Sequence, residues 1–366
     1  MNVLYLGGFE LPDKNAAAQR VVANAKLLRE MRFEVTLIGV SKDTDETPSG
    51  IDGFRSEAIP YPNSMKEWLY HILTFVPQER IASYHPDYVI LYNFPAIASL
   101  KIISYCHRHG IKVIHDTTEW EYAEGHSPRD LIKNIDTWLR MKYCLKKMDG
   151  VIAISRYLYD YYGSNVKTIQ IPPMVDLADE KWDRDRVLTA EKRIKIVYAG
   201  SAGAKCKDRL DYVISVVSKN PDIEFVVVGM TQEQYIESFG KLPNDCDNIS
   251  FKGRIPHQEA VNAVCDADFQ MLIREDSLKN RAGFPTKFVE SMSCCTPVIA
   301  TLTSNIADYL ADGENGFIVD KDRPLEKVLE TCSKLSIEER IKMKNNCKNI
   351  NFDYHTFQQE FEKIFS

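Results

Sequence analysis

The chain lacks any apolar run near the ~20 residues that a membrane-spanning helix needs. Its start has no charged stretch leading into a long apolar segment, so no signal peptide is expected. None of its nine cysteines forms a Cys-x-x-Cys pair or a Cys/His zinc spacing. They are scattered and odd in number, and Cys294 and Cys295 are adjacent, a geometry that rarely pairs without strain. All are therefore expected to be reduced, which points to a cytoplasmic protein. A basic excess is also missing. The formal net charge is −6, so the chain as a whole is not expected to bind nucleic acid. There is no strict Gly-x-Gly-x-x-Gly fingerprint and no Gly-Lys-Ser/Thr phosphate loop.

What is present is a soluble, enzyme-like composition of 44% hydrophobic and 27% charged residues over 366 positions, enough for two cores. Two segments resemble each other, NVLYLGGFE at 2–10 and IKIVYAGSAG at 194–203. Each is a short apolar strand, then a glycine turn, then an amphipathic helix, the usual opening of a doubly wound sheet. Further strands are expected at 34–39, 88–93, 112–116 and 150–155, and at 224–229, 249–253, 269–273, 297–301 and 316–320. They are apolar runs rather than alternating ones, as parallel strands covered on both faces are. The expected architecture is α/β, with two Rossmann-like domains. The paired prolines Pro172-Pro173 mark the join. The expected domains are 1–172 and 173–350. An amphipathic segment, 351–366, carries Phe357, Phe361 and Ile364 on one face and is expected to pack back on the first domain.

Chemistry is expected where strands end. Gly200, Ser201 and Gly203 form a turn behind a strand, with Lys205 and Lys207 following. Exposed amides and nearby ammonium groups suit an anion, although a tight turn with solvated lysines reads equally well. The Gly7-Gly8 turn precedes the helix carrying Arg20. Either it opens onto a cleft through Gly8 or it is a plain structural turn. His115 and Asp116 end a strand, and Asp116, Glu119 and Glu121 interleave with Trp120 and Tyr122. Carboxylates beside aromatic faces suit a sugar; the alternative is an acidic surface loop with His115 bonded in the core. Asp-x-Asp pairs recur at several unrelated places, so no metal site is expected. The stretch 129–148 is helical in pattern and rich in Lys and Arg, with Leu131, Ile135 and Trp138 among its apolar members. It is either a helix that touches anionic lipid or a core helix with a solvated basic face.

The ordered set GGFE…AAAQRVVANAKLLREMRFEVTLI, ISRYLYDYY, IPPMVD, YAGSAGAKCKDRLDYVI, AGFPTKFVESMSCCTPVIAT and DGENGFIVD resembles the retaining glycosyltransferases of family 4, which have the GT-B fold. The resemblance runs over nearly the whole length. It implies two Rossmann-like domains facing a central cleft. It also implies transfer, with retention, from a nucleoside-diphosphate sugar bound by the second domain to a glycan or lipid-linked acceptor held by the first. No metal and no cofactor are implied, because amides and basic side chains neutralise the diphosphate. A role in cell-surface polysaccharide synthesis follows, in the cytoplasm or at the inner face of the plasma membrane. Carried over residue by residue, Glu290 matches the glutamate that accepts from the ribose hydroxyls. Gly283, Phe284 and Thr286 lie in the turn facing the donor, and Lys287 is a cation at the helix start. Gly200, Ser201, Gly203, Lys205 and Lys207 match the second phosphate turn, and Arg254 follows the strand end bordering the base. His115 resembles the histidine near the transferred bond, which makes His115 and Lys287 the catalytic candidates. The acceptor candidates are Gly8, Arg20, Asp116, Glu119, Trp120 and Glu121. One position departs from the pattern. Ala282 stands where many members carry a first glutamate that contacts the donor sugar. Arg281, Glu275 or Asp276 would then substitute, or the sugar is read differently, or activity is lost. Two further readings stay open: an epimerase of the same fold, and a non-catalytic nucleotide-sugar-binding subunit.

Overall fold

The structure is a computed structural model that describes residues 1–12, 14–42, 50–185, 193–200, 207–243 and 246–366. Its chain divides into two compact units. The first is Met1–Val175 with Ala282–Phe284 and Asp353–Ser366, and the second is Asp176–Arg281 with Pro285–Phe352.

The strands of the first unit are β1 (Asn2–Gly7), β2 (Glu34–Ser41), β3 (Gly50–Ile51), β4 (Phe54–Pro60), β5 (Tyr88–Tyr92), β6 (Lys112–Thr117), β7 (Gly150–Ala153) and β8 (Thr168–Gln170). Between them come helices α1 (Ala16–Glu30), α2 (Met65–Leu73), α3 (Gln78–Ala82), α4 (Ala96–Arg108), α5 (Pro128–Leu139) and α6 (Arg156–Gly163). The sheet order is β3-β4-β2-β1-β5-β6-β7-β8, parallel except for the β3–β4 pair. The central strands are buried almost throughout, as expected of a sheet covered on both faces.

The β3–β4 hairpin contains no apolar run of the kind that marks the other strands. It lies at the sheet edge, and β4 alternates in burial over Phe54–Ser56 before becoming half-buried. Its turn is Asp52-Gly53, with φ of 50° and 81°, the positive pair that a two-residue hairpin needs.

The second unit contains β9 (Ile194–Ala199), β10 (Ile223–Val228), β11 (Ile249–Phe251), β12 (Phe269–Leu272), β13 (Val298–Ala300) and β14 (Gly316–Ile318). Its helices are α7 (Leu210–Val217), α8 (Gln232–Phe239), α9 (His257–Cys265), α10 (Leu278–Ala282, which runs into the 282–284 segment of the first unit), α11 (Thr286–Ser293), α12 (Leu325–Cys332) and α13 (Ile337–Cys347). All strands are parallel in the order β11-β10-β9-β12-β13-β14. Numbered within the unit, this is 3-2-1-4-5-6. The switch point lies between the first and fourth strands, and open sheets of this kind bind ligands beyond the strand ends there.

The final helix, α14 (Gln358–Glu362), follows a 3₁₀ turn at Tyr354–Phe357 and belongs to the first unit. Phe361 and Ile364 enter that unit's core. A side chain at Gly150 would meet Ile364 at 2.7 Å, so the glycine makes room for the segment. His355 sits between Asp353 and Glu30, and the Tyr354 hydroxyl donates to Glu30 at 3.0 Å.

At the strand ends of the first sheet, one buried ion pair joins three elements. Arg20 of α1 donates from Nε and Nη2 to the Asp116 carboxylate at 2.8–3.0 Å. Its Nη1 donates to the carbonyls of Ile171 and Pro172 at 2.9 and 3.0 Å. Tyr5 and Asn24 complete the ring around Asp116. All four side chains are buried. This corrects the expectation that Arg20 and Asp116 meet an acceptor: an Arg at the start of a helix and an Asp at a strand end have been spent on each other. Removing one partner of such a pair strands a buried charge. Arg20→Met is expected to lose about 3–5 kcal/mol of stability, read as a lower urea midpoint for the first unit.

Candidate active site

The switch point of the second sheet carries a charged cluster. β9 ends at Ala199, and Gly200 follows with φ 152°. A side chain there would collide with the Lys287 side chain, so glycine lets that lysine lie across the strand end. Lys287, from the first turn of α11, donates to the Tyr198 hydroxyl at 2.8 Å and pairs with Asp208. Arg274, just beyond β12, donates from Nε to the other Asp208 oxygen at 2.6 Å. Tyr198 donates to Asp208 at 2.8 Å. An isolated antiparallel bridge between Asp208 and Arg274 ties the two segments by backbone as well.

One carboxylate thus serves two cations. Burial would raise the Asp208 carboxyl, but Lys287 and Arg274 hold it well below the usual carboxylate range. The cluster keeps one net positive charge. The start of α11 adds to it, since no side chain caps its first turn. This combination suits a diphosphate.

Glu290 lies one turn further along α11. Its Oε1 is 3.4 Å from His257 Nε2 at the start of α9. Both side chains are partly exposed, so the carboxylate can still accept from a ligand hydroxyl. Arg254 is exposed in the turn between β11 and α9, after Gly253 (φ 66°). Thr286 opens α11, and Lys207 is half-buried next to Asp208 in the chain. Ser201, Gly203 and Lys205 lie outside the described residues.

Ala282 is fully buried, and its carbonyl accepts from the Ser155 hydroxyl at 2.7 Å. Gly283 and Phe284 are buried beside it in the chain and group with the first unit. The proposed stand-ins for a missing glutamate are already in ion pairs, Glu275 with Arg209 and Asp276 with Arg281.

In the first unit, His115 is fully buried. Its Nε2 accepts from the Phe94 amide at 3.3 Å, so in the neutral ring Nδ1 carries the proton and donates to Thr117 at 2.6 Å. Burial, with Arg140 nearby, pushes its pKa well below the ordinary value and keeps it neutral. Both ring nitrogens of His115, expected beside the transferred bond, are thus engaged within the first unit. His115 fixes the loop at Phe94 against the end of β6. Trp120 is another correction: its ring is buried, 5.0 Å from Tyr161, with the Lys142 ammonium 4.8 Å away. Glu119 and Glu121 instead line a cleft of about 340 Å³ with Trp68, Tyr122, Lys133 and Arg140. Gly8 is exposed, with open space where a side chain would be. Gly7 is not, because a side chain there would meet Tyr92 at 2.6 Å.

Sequence reasoning missed Tyr198, Asp208, His257 and Arg274. Three of them were findable by searching just past each strand or at the next helix start: Arg274 lies two residues beyond β12, Asp208 just before α7, and His257 opens α9. Tyr198 sits inside an apolar strand and gave no signal. Among the described residues, no group of three or more His, Cys, Asp or Glu side chains could hold a metal ion.

The family model described as Glycosyltransferase Family 4 matches residues 17–179, and the model described as Glycosyl transferases group 1 matches 179–350. The chain belongs to the group 1 glycosyltransferases. An uncharacterized glycosyltransferase of Methanocaldococcus jannaschii is 24% identical over 304 residues, 73% of this chain and 80% of its own. Among solved structures, sucrose-phosphate synthase from Thermosynechococcus elongatus matches with a TM-score of 0.70 at 14% identity, covering 100% of this chain and 98% of that one. Anabaena HepE, solved with UDP and glucose, matches with a TM-score of 0.68 at 14% identity, covering 100% and 99%. These likenesses establish the GT-B fold for this glycosyltransferase.

The depressed carboxyl of Asp208 has a pH consequence. Its pairing stabilises this glycosyltransferase fully above the unfolded value, near 3.9, and the contribution is lost as pH falls below it. Asp208→Asn should therefore lower the melting temperature at neutral pH. The gap to wild type should narrow toward about pH 3 in thermal unfolding scans.

Proposed function

We propose that the chain transfers a glycosyl group, with retention, from a nucleoside-diphosphate sugar to a glycan or lipid-linked acceptor in cell-surface polysaccharide synthesis. The observation that carries this is the Asp208–Lys287–Arg274 cluster at the switch point, one helical turn from Glu290. Lys287 neutralises the departing diphosphate. Gly200 and Lys207 border it, and the resemblance assigns Ser201, Gly203 and Lys205, outside the described residues, to the same phosphate turn. Glu290 accepts from the ribose, Arg254 borders the base, and Thr286 opens the helix that carries Glu290; the resemblance assigns Gly283 and Phe284 to the turn before it. The bond from the anomeric carbon to the phosphate oxygen breaks while the acceptor oxygen bonds to the same face. The acceptor proton passes to the departing phosphate oxygen, so no enzyme nucleophile is required. Side-chain cations supply the charge that a divalent metal would otherwise bring, which supports a metal-independent reaction with no cofactor.

Gly8, Glu119 and Glu121 remain the acceptor-side candidates, since they are exposed or line the cleft of the first unit. His115 acts through the Phe94 loop. Retention, the lipid-linked acceptor and a place at the inner face of the plasma membrane follow the resemblance and belong to this reading.

Ala282 favours one second reading, a nucleotide-sugar-binding subunit without turnover. A donor and acceptor screen separates the two. We expect transfer or slow hydrolysis from at least one nucleotide sugar, and Glu290→Ala should weaken donor binding roughly ten- to hundredfold by calorimetry. Donor binding with no turnover on any acceptor supports the subunit, and release of an epimerised sugar from donor alone supports an epimerase. If no nucleotide or nucleotide sugar binds, the reading fails.

A further inference from the structure

We infer that the helical run 128–147 of the first unit docks on an anionic lipid bilayer through one outward stripe. The run is continuous: α5 passes into a π turn at Arg140–Cys144 and a 3₁₀ turn at Leu145–Lys147. Leu131, Ile135 and Trp138, spaced i, i+4 and i+7, form a single stripe. They are 61%, 56% and 55% exposed, although large apolar side chains on a stripe ordinarily face a core.

The helix cannot roll this stripe inward, because its opposite face is fixed by polar contacts. Asp136 accepts from the Ala96 amide at 2.8 Å. Thr137 and Arg140 are buried, and Arg140 donates to the Asn93 carbonyl at 2.8 Å. The two acids of the run are used internally, Asp136 in that contact and Asp130 in the capping box with Ser127. The outward charge is therefore basic. Lys146 and Lys147 are exposed in a chain whose net charge is −6, and exposed Lys142 lies over the Trp120 ring, whereas Lys133 turns to the cleft beside Glu119 and Glu121.

Next to α5, α2 shows a second stripe with Met65, Leu69 and Leu73 exposed. The two helices are joined where Arg129 lies 5.0 Å over the Trp68 ring.

Apolar and Trp side chains rimmed by lysine fit the boundary between acyl chains and anionic headgroups. A second copy of the chain fits less well, since a symmetric contact would set the same lysines against each other. The inference rests on the reading of a membrane-linked acceptor for its purpose, but its physical basis lies outside the donor cluster.

The test is co-sedimentation of the full chain with phosphatidylcholine vesicles, with and without phosphatidylglycerol. Binding should be at least about tenfold tighter on the anionic vesicles and should weaken with salt. Trp68, Trp120 and Trp182 are buried, so a blue shift of emission on binding should disappear in Trp138→Phe. Ile135→Glu and the double change Lys146→Glu with Lys147→Glu should each cut binding at least about tenfold. Nucleotide-induced thermal shifts are read on the same samples and should be unaltered in these variants. Vesicle binding that is absent, or indifferent to lipid charge and to Ile135→Glu, overturns the inference. A dimer that dissolves in Ile135→Glu also overturns it and assigns the face to a second copy. If nucleotide shifts persist while vesicle binding fails, only the membrane inference falls.

Discussion

Everything in the proposed donor site depends on one buried carboxylate, Asp208, shared between Lys287 and Arg274. A lone buried carboxylate is costly, and its cost is recovered only when charges and hydrogen bonds surround it. Here Tyr198, Lys287 and Arg274 do so. The pairing draws three segments together at the switch point: the approach to α7, the end of β12 and the start of α11. It also holds Lys287 over Gly200, a position that only a glycine permits.

The first unit solves the same problem differently. Asp116 also ends a strand and is also paired with arginine, but Arg20, Tyr5 and Asn24 enclose it completely. That set is neutral and closed. The Asp208 set has one cation in excess, and the Lys287 side chain stays partly exposed. The difference in charge and access is the physical reason for placing the diphosphate in the second unit. In the first unit the strand ends offer hydrogen-bonding groups, and Glu119 and Glu121 line a cleft instead.

The α/β class, the two sheets and most parallel strands were legible because strands covered on both faces are plain apolar runs. The β3–β4 hairpin was not, because an edge strand alternates, although Asp52-Gly53 was a usable turn signal. The site was only partly legible. Lys287 and Glu290 stood out through the family motif, three residues apart on one helix. Asp208 and Arg274 come from distant positions and acquire meaning only when β9 and β12 lie side by side. Asp116 and Arg20 misled for the converse reason: sequence shows that a charge sits at a strand end, not whether a partner 96 residues away has already neutralised it. In 129–148 the basic character was visible, while the outward turn of Leu131, Ile135 and Trp138 is set by the polar contacts on the opposite face.

The most direct test of the central claim is a crystal of the full chain soaked with a nucleoside diphosphate. The account predicts the diphosphate beside the Lys287 ammonium and the Gly200 turn, with the ribose hydroxyls on Glu290. A nucleotide bound on the first unit, or bound to the second unit with its phosphates away from Lys287, would contradict it.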